Sequence, residues 1–155
     1  MASVERLPVA LEEVLPGPLA GSLRRRLIAN TDAHAKNYSV LLMAGEARLA
    51  PLYDVASLLP YPEYSLRKVR LAMKVGGKYR IAEIAKHHWV KQVAEMRVPE
   101  GQLLQQLREL LTAAPDESAT TLRGCRDARL DEPVLQRLHD ELTKRVAILK
   151  EQFGF

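Results

Sequence analysis

Residues 28–40 read IANTDAHAKNYSV, and they lie between a helical pattern and a strand pattern. On the N-terminal side Leu23, Leu27 and Ile28 fall at i, i+4 and i+5, which predicts a helix over 23–29. Arg24, Arg25 and Arg26 fall on its other faces and are expected to form a solvated surface. On the C-terminal side YSVLL, MAGEA and RLAPL are two short apolar segments around a glycine-containing turn, which predicts a β-hairpin within 38–52. A polar loop held between a helix and a hairpin is the kind of segment on which binding and catalytic side chains gather.

Asp32 and Asn37 in that loop are five apart, the D-x-x-x-x-N spacing of a phosphotransferase base and its magnesium-binding asparagine. Asp54 follows the hairpin. In phosphoryl transfer one Asp orients the attacking hydroxyl and accepts its proton, while an Asn and a second Asp hold Mg²⁺ against the phosphates. Antiparallel strands bring the residues just before and just after a hairpin to the same end, so Asn37 and Asp54 are expected to converge. Six Asp and two Asn in 155 residues give about 0.08 such pairs by chance, which makes the spacing informative only together with the order of elements. The plainer alternative is that Asp32 caps a turn and Asp54 opens a short helix.

The run NTDAHAKNYSVLL, followed by RLAPLYDVAS and then by LAMKVGGKY, resembles the C-terminal part of HipA-type serine/threonine kinases, the toxins of bacterial toxin–antitoxin pairs. The three blocks stand in the family's order and cover residues 23–89. The resemblance implies Asp32 as catalytic base and Asn37 and Asp54 as Mg²⁺ ligands. It places His34, Lys36 and Tyr53 beside an ATP nucleotide. Lys36 is a suitable cation for offsetting charge that develops on the transferred phosphate. His34 has two readings, a phosphate donor or a residue that holds the loop. The resemblance also implies an N-terminal lobe with a phosphate-cradling loop, a phosphate-binding Lys paired with Glu, and an adenine-binding hinge. Residues 1–22 are too few to encode that lobe, so the expectation is a C-terminal lobe alone, with weak nucleotide binding and little phosphotransfer unless another polypeptide completes it.

Residues 1–22 hold Pro8, Pro16, Gly17, Pro18 and Gly21 and are expected to be an irregular lead-in. Residues 67–80 carry Arg67, Lys68, Arg70, Lys74, Lys78 and Arg80 without an acid, a stretch expected to be extended and partly mobile. From residue 81 the pattern is helical. One helix is predicted over 81–96 and one over 99–113. A weaker one over 116–130 is diluted by Thr120, Thr121 and Gly124, and a last helix starts after an Asp131 cap and carries the stripe Leu135, Leu138, Leu142, Val146, Leu149 and Phe153. Trp89 is expected in the core, Cys125 as a buried thiol, and the adjacent His87 and His88 as surface or packing residues.

Composition narrows the classes further. Hydrophobic residues at 47% and charged residues at 27% describe a globule with a core. A single cysteine excludes an internal disulfide and a cysteine-based zinc site. No apolar run reaches membrane-spanning length, and the chain is expected to be cytoplasmic. A net charge of +4 does not by itself predict nucleic-acid binding, and none is expected. The fold expected is mainly α with one β-hairpin, an α+β domain like a protein-kinase C-terminal lobe, with residues 23–80 holding the loop, hairpin and basic segment and 81–155 forming a helical subdomain. Expected partners are a protein substrate and either an antitoxin or a separately encoded N-terminal lobe, with self-association also possible. The rival to a kinase lobe is a non-catalytic module that binds protein in a toxin–antitoxin system.

Overall fold

The structure, a computed structural model, describes residues 18–43, 46–130 and 133–155. The lead-in before residue 18, the turn of the first hairpin and the Asp131 cap lie outside the described residues. Helix α1 (Pro18–Leu27) begins before the Leu23 that the apolar spacing marks. Its proline lacks the N–H that a first helical turn leaves unpaired and has φ already set for a helix. The helix ends on Ala29, whose φ of 53° is left-handed. The Asn30 N–H returns to the Arg25 carbonyl at 2.8 Å and the Ala29 N–H to the Arg26 carbonyl at 3.2 Å, closing the carbonyl end that a helix exposes.

Strands β1 (Val40–Met43) and β2 (Glu46–Leu49) pair antiparallel with Val40 opposite Leu49, the hairpin that the two apolar segments around a glycine predicted. A hydrogen bond from the Ala50 N–H to the Ser39 carbonyl, 2.8 Å, carries the pairing toward the polar loop. The basic segment is extended, as expected, but it is paired rather than a loop. Strands β3 (Arg70–Val75) and β4 (Lys78–Arg80) form a second antiparallel hairpin around Gly76 and Gly77, both at positive φ. The Gly-Gly pair is a hairpin-turn signal, masked in the sequence by the density of charge around it. A Cβ at Gly76 would lie 2.2 Å from the His88 carbonyl oxygen, so packing as well as backbone conformation requires glycine there.

A 3₁₀ turn (Ile81–Glu83) leads into α2 (Lys86–Glu95), whose first turn is closed by the Ala85 N–H donating to His88 Nδ1 at 3.1 Å. Helix α3 (Glu100–Asp127) runs through Pro115 without a break, where two helices were expected. Its inward face, with Leu103, Leu107, Leu110, Leu111, Ala114, Ser118 and Leu122 all buried, continues on both sides of the proline. That burial outweighs the roughly 3 kcal/mol that a proline costs in a helix interior, each fully buried leucine contributing about 1.5–3 kcal/mol. Helix α4 (Pro133–Phe153) packs along α3, with Leu142, Val146, Leu149 and Phe153 buried. Trp89 and Cys125 are buried as expected.

The mainly helical α+β architecture therefore stands, with two small hairpins rather than one. Among the described residues no helix is long and apolar enough to cross a membrane. The largest departure is α1. Arg24, Arg25 and Arg26, expected at the surface, are all buried, at 5%, 2% and 4% exposure. Helices α3 and α4 pack on one side of α1, while the polar loop and the 81–84 turn meet it on others. Carbonyl oxygens take the place of water: Arg26 Nη2 donates to the Ile84 carbonyl at 2.6 Å, and its guanidinium stands 6.0 Å from the Trp89 ring.

Candidate active site

The loop after α1 is held from below and from the side. Asn30, 1% exposed, accepts the Asp32 N–H on its side-chain oxygen at 3.2 Å, turning the chain outward. Thr31 offers its carbonyl to the Ala72 N–H of β3 at 3.1 Å. Residues Ala35–Asn37 form a 3₁₀ turn in which the Asn37 side-chain oxygen accepts the His34 N–H at 3.1 Å. Asn37 is thereby buried, while Asp32, His34 and Lys36 face solvent.

Hairpin β1–β2 returns the chain to this turn. The Asn37 side-chain amide donates to an Asp54 carboxylate oxygen, so the two expected metal ligands meet. Asp54 sits at φ 54°, a left-handed conformation that Asp tolerates better than most side chains and that aims it back at the loop. Tyr53 is pinned as well. Its hydroxyl donates to the Lys36 carbonyl at 2.6 Å and lies 3.0 Å from Ser39 Oγ.

Asp32 is tied to the group through His34, whose Nε2 stands 3.0 Å from Asp32 Oδ1. Of the two readings of His34, this geometry is that of a residue holding the loop. Asp32 does not cap the 3₁₀ turn, whose N-cap position is held by His34. Nor does Asp54 open a helix; it ends the return from the hairpin.

Arg25 is the positioning residue that sequence reasoning assigned to solvent. Its Nη2 donates to the carbonyls of both Asn37, at 3.1 Å, and Tyr53, at 3.2 Å, and its guanidinium lies 4.8 Å from the centre of the Tyr38 ring. One buried cation thus clamps the two backbone segments that carry the candidate ligands. A stretch of three arginines beside a polar loop was the available signal, but helical periodicity assigns charge outward and hid it.

The donor set suits magnesium. No group of three His, Cys, Asp or Glu side chains gathers among the described residues, and Mg²⁺ commonly takes only one or two protein oxygens, the rest of its shell coming from phosphates and water. The Asn37 oxygen keeps a second lone pair beyond the one used by His34, and Asp54 keeps its second carboxylate oxygen. Asn37 and Asp54 together therefore fit a hard cation.

Comparison with known proteins shows the family and the fold. Residues 23–118 match the family model described as the HipA-like C-terminal domain. A protein of Sinorhizobium fredii named "Putative kinase Y4mE" is 26% identical over 124 residues, covering 80% of this chain and 29% of its own length. HipA of Shewanella oneidensis MR-1, solved in complex with HipB and operator DNA, superposes with a TM-score of 0.72 at 21% identity, over 99% of this chain and 36% of that one. The chain thus spans about a third of the length of these two relatives. With most of the chain matched by the family model and the whole of it sharing the HipA fold, the chain belongs to the HipA-like C-terminal domain family.

Proposed function

We propose that this chain is the catalytic lobe of a serine/threonine protein kinase that uses ATP and Mg²⁺, with the nucleotide enclosed between it and a second lobe. The observation that carries the reading is the meeting of Asn37 and Asp54 side chains beside the Asp32 loop. Asn37 and Asp54 would hold Mg²⁺, which when bound offsets charge on the ATP phosphates. Asp32 is solvent-facing, with Oδ1 engaged by His34 and Oδ2 left to accept the proton of a substrate hydroxyl. His34 would fix that carboxylate, Tyr53 braces the Lys36 backbone, and the exposed Lys36 ammonium would offset charge developing on the phosphate. The open site leaves phosphates exposed to water, and the isolated chain is expected to turn over slowly. An antitoxin of the HipB kind would act as regulator in the cytoplasm; HipA in the Shewanella complex is bound to HipB and DNA.

A second reading rests on the same contact. Asn37 and Asp54 satisfy one another without a cation, as they would in a non-catalytic module that keeps the lobe's shape to bind protein. Calorimetric titration of ATP with Mg²⁺, and a phosphorylation assay with and without the product of the neighbouring gene, separate the two. Mg²⁺-dependent ATP binding that Asp54→Ala abolishes supports the kinase. No binding under any pairing leaves the protein-binding module.

A further inference from the structure

Behind the candidate loop lies a cavity of about 170 Å³ between α1, the loop, β3 and α2. Its apolar wall includes Leu19, Leu71, Met73 and Trp89. Its polar lining is one-sided in charge: Arg25, Arg26 and Lys74 line it, and no Asp or Glu among the described residues does. Six buried side-chain atoms of the lining residues lack a hydrogen-bond partner, namely Nε and Nη1 of Arg25, Nε and Nη1 of Arg26, Asn30 Nδ2 and Tyr38 Oη. Arg25, Arg26 and Asn30 are each at least nine-tenths buried.

Five of these six atoms can only donate. A buried donor without an acceptor costs about 1–3 kcal/mol, and a buried cation left uncompensated costs more. Water would satisfy some donors but not the charge. An oxyanion satisfies both, because it only accepts and it pairs with guanidinium through short, charge-assisted bonds. The apolar wall then discriminates among oxyanions. A phosphate would lose hydration on that side with nothing in return, whereas a carboxylate on a hydrocarbon stem presents oxygens to the arginines and methylenes to Leu71, Met73 and Trp89.

We infer that this cavity is a binding site for a carboxylate carried on a short aliphatic stem, the group presented by a glutamate side chain of another polypeptide or by a free dicarboxylate. Burial, with the neighbouring Arg145 adding to it, pushes the Arg26 guanidinium down to about 9, as a cation buried without an anion requires. The site reaches the candidate active site through Arg25, whose remaining nitrogen holds the Asn37 and Tyr53 carbonyls. An occupant that fixes Arg25 fixes both. The inference does not depend on phosphotransfer, since its readouts involve neither ATP nor metal.

Trp89, the only tryptophan, lines the cavity and reports on it. The full chain is titrated with glutarate, with a blocked alanyl-glutamyl-alanine peptide and with inorganic phosphate, following Trp89 fluorescence and Tm. Saturable binding of a carboxylate probe, with phosphate at least about tenfold weaker, is the expected result. Saturation by the peptide alone assigns a polypeptide source and saturation by glutarate alone a free acid; both support the site. Arg26→Gln should weaken binding about 10–100-fold, the range of a lost charge-assisted pair. Because that change also removes donors to Ile81 and Ile84, Gln92→Glu serves as a second variant. Gln92 lines the cavity and its Oε1 accepts the Gly76 N–H at 3.1 Å, an acceptor role that glutamate keeps. It should raise Tm by about 2–4 °C and blunt the response to added carboxylate. Flat fluorescence and unchanged Tm with every probe up to about 10 mM, equal affinity for phosphate, or a lowered Tm in Gln92→Glu overturns the inference.

Discussion

The Asn37 side-chain amide donates to the Asp54 carboxylate, joining two residues 17 apart in the chain across the open end of hairpin β1–β2. The contact makes ligand chemistry and folding separable at Asp54. Asparagine tolerates the left-handed φ of 54° and preserves an oxygen, so Asp54→Asn should fold with little change in Tm while losing Mg²⁺-dependent ATP binding. A β-branched Asp54→Val should lose about 1–2 kcal/mol of stability as well. Thermal melts set beside calorimetry on the two variants check this; equal destabilisation by both would remove the backbone argument.

Arg25 makes a different prediction, because its guanidinium reaches two carbonyls and a ring at once. A lysine keeps the charge but cannot span Asn37 and Tyr53 together. Arg25→Lys is expected to cost about 1.5–3 kcal/mol, the range of a lost hydrogen bond to a charged group, and to raise amide exchange in the 34–39 and 50–54 segments. Urea denaturation and hydrogen exchange measure the two effects. Exchange that stays at the wild-type rate would show that Arg25 does not clamp the loop.

Two left-handed positions should respond in opposite senses. Ala29 ends α1 at φ 53°, where a Cβ is a burden, so Ala29→Gly should stabilise by up to about 1 kcal/mol despite the lost buried methyl. Gly76 has φ 55° and a neighbouring carbonyl 2.2 Å from any added Cβ. Gly76→Ala should therefore destabilise by about 1–3 kcal/mol and loosen the contact between hairpin β3–β4 and α2. Denaturant midpoints on the pair decide it, and a neutral Gly76→Ala would contradict the packing.

The start of α2 should be sensitive to acid. Burial, then the neighbouring His87 and Lys78, hold the His88 imidazole below its ordinary range. Its Nδ1 can accept the Ala85 N–H only while neutral. The unfolded chain takes up this proton first, so the contribution is present above about pH 6.5 and is lost as pH falls through the lower folded value. His88→Gln, which cannot titrate and whose amide oxygen can accept the Ala85 N–H at every pH, should flatten the fall in Tm between pH 7 and pH 5. Matching pH profiles for the wild type and the variant would assign the acid sensitivity elsewhere.

The meeting of Asn37 and Asp54 was legible in local sequence because its logic is short-range. Spacing within 32–37 and the two apolar segments around a glycine within 38–52 are enough to bring Asn37 and Asp54 to one end of a hairpin, since strand pairing converts sequence separation into proximity. The last helix followed from periodicity in the same way, and the buried Trp89 from the size of its apolar ring. Periodicity failed where burial came from several directions. Around α1 it treated Arg24, Arg25 and Arg26 as a wet face, and around Gly76 it let charge density obscure a turn.

By itself, then, the sequence determined the polar loop, the first hairpin and the apolar faces of the long helices, all set by contacts a few residues apart. Only the tertiary structure decided that three arginines lie inside, that Pro115 is crossed by one continuous helix, and that a cavity of about 170 Å³ backs the candidate site. Those outcomes depend on what other elements bring to a residue from far along the chain. Carbonyls from Asn37, Tyr53 and Ile84 make burial of Arg25 and Arg26 tolerable, and no pattern local to the arginines contains them.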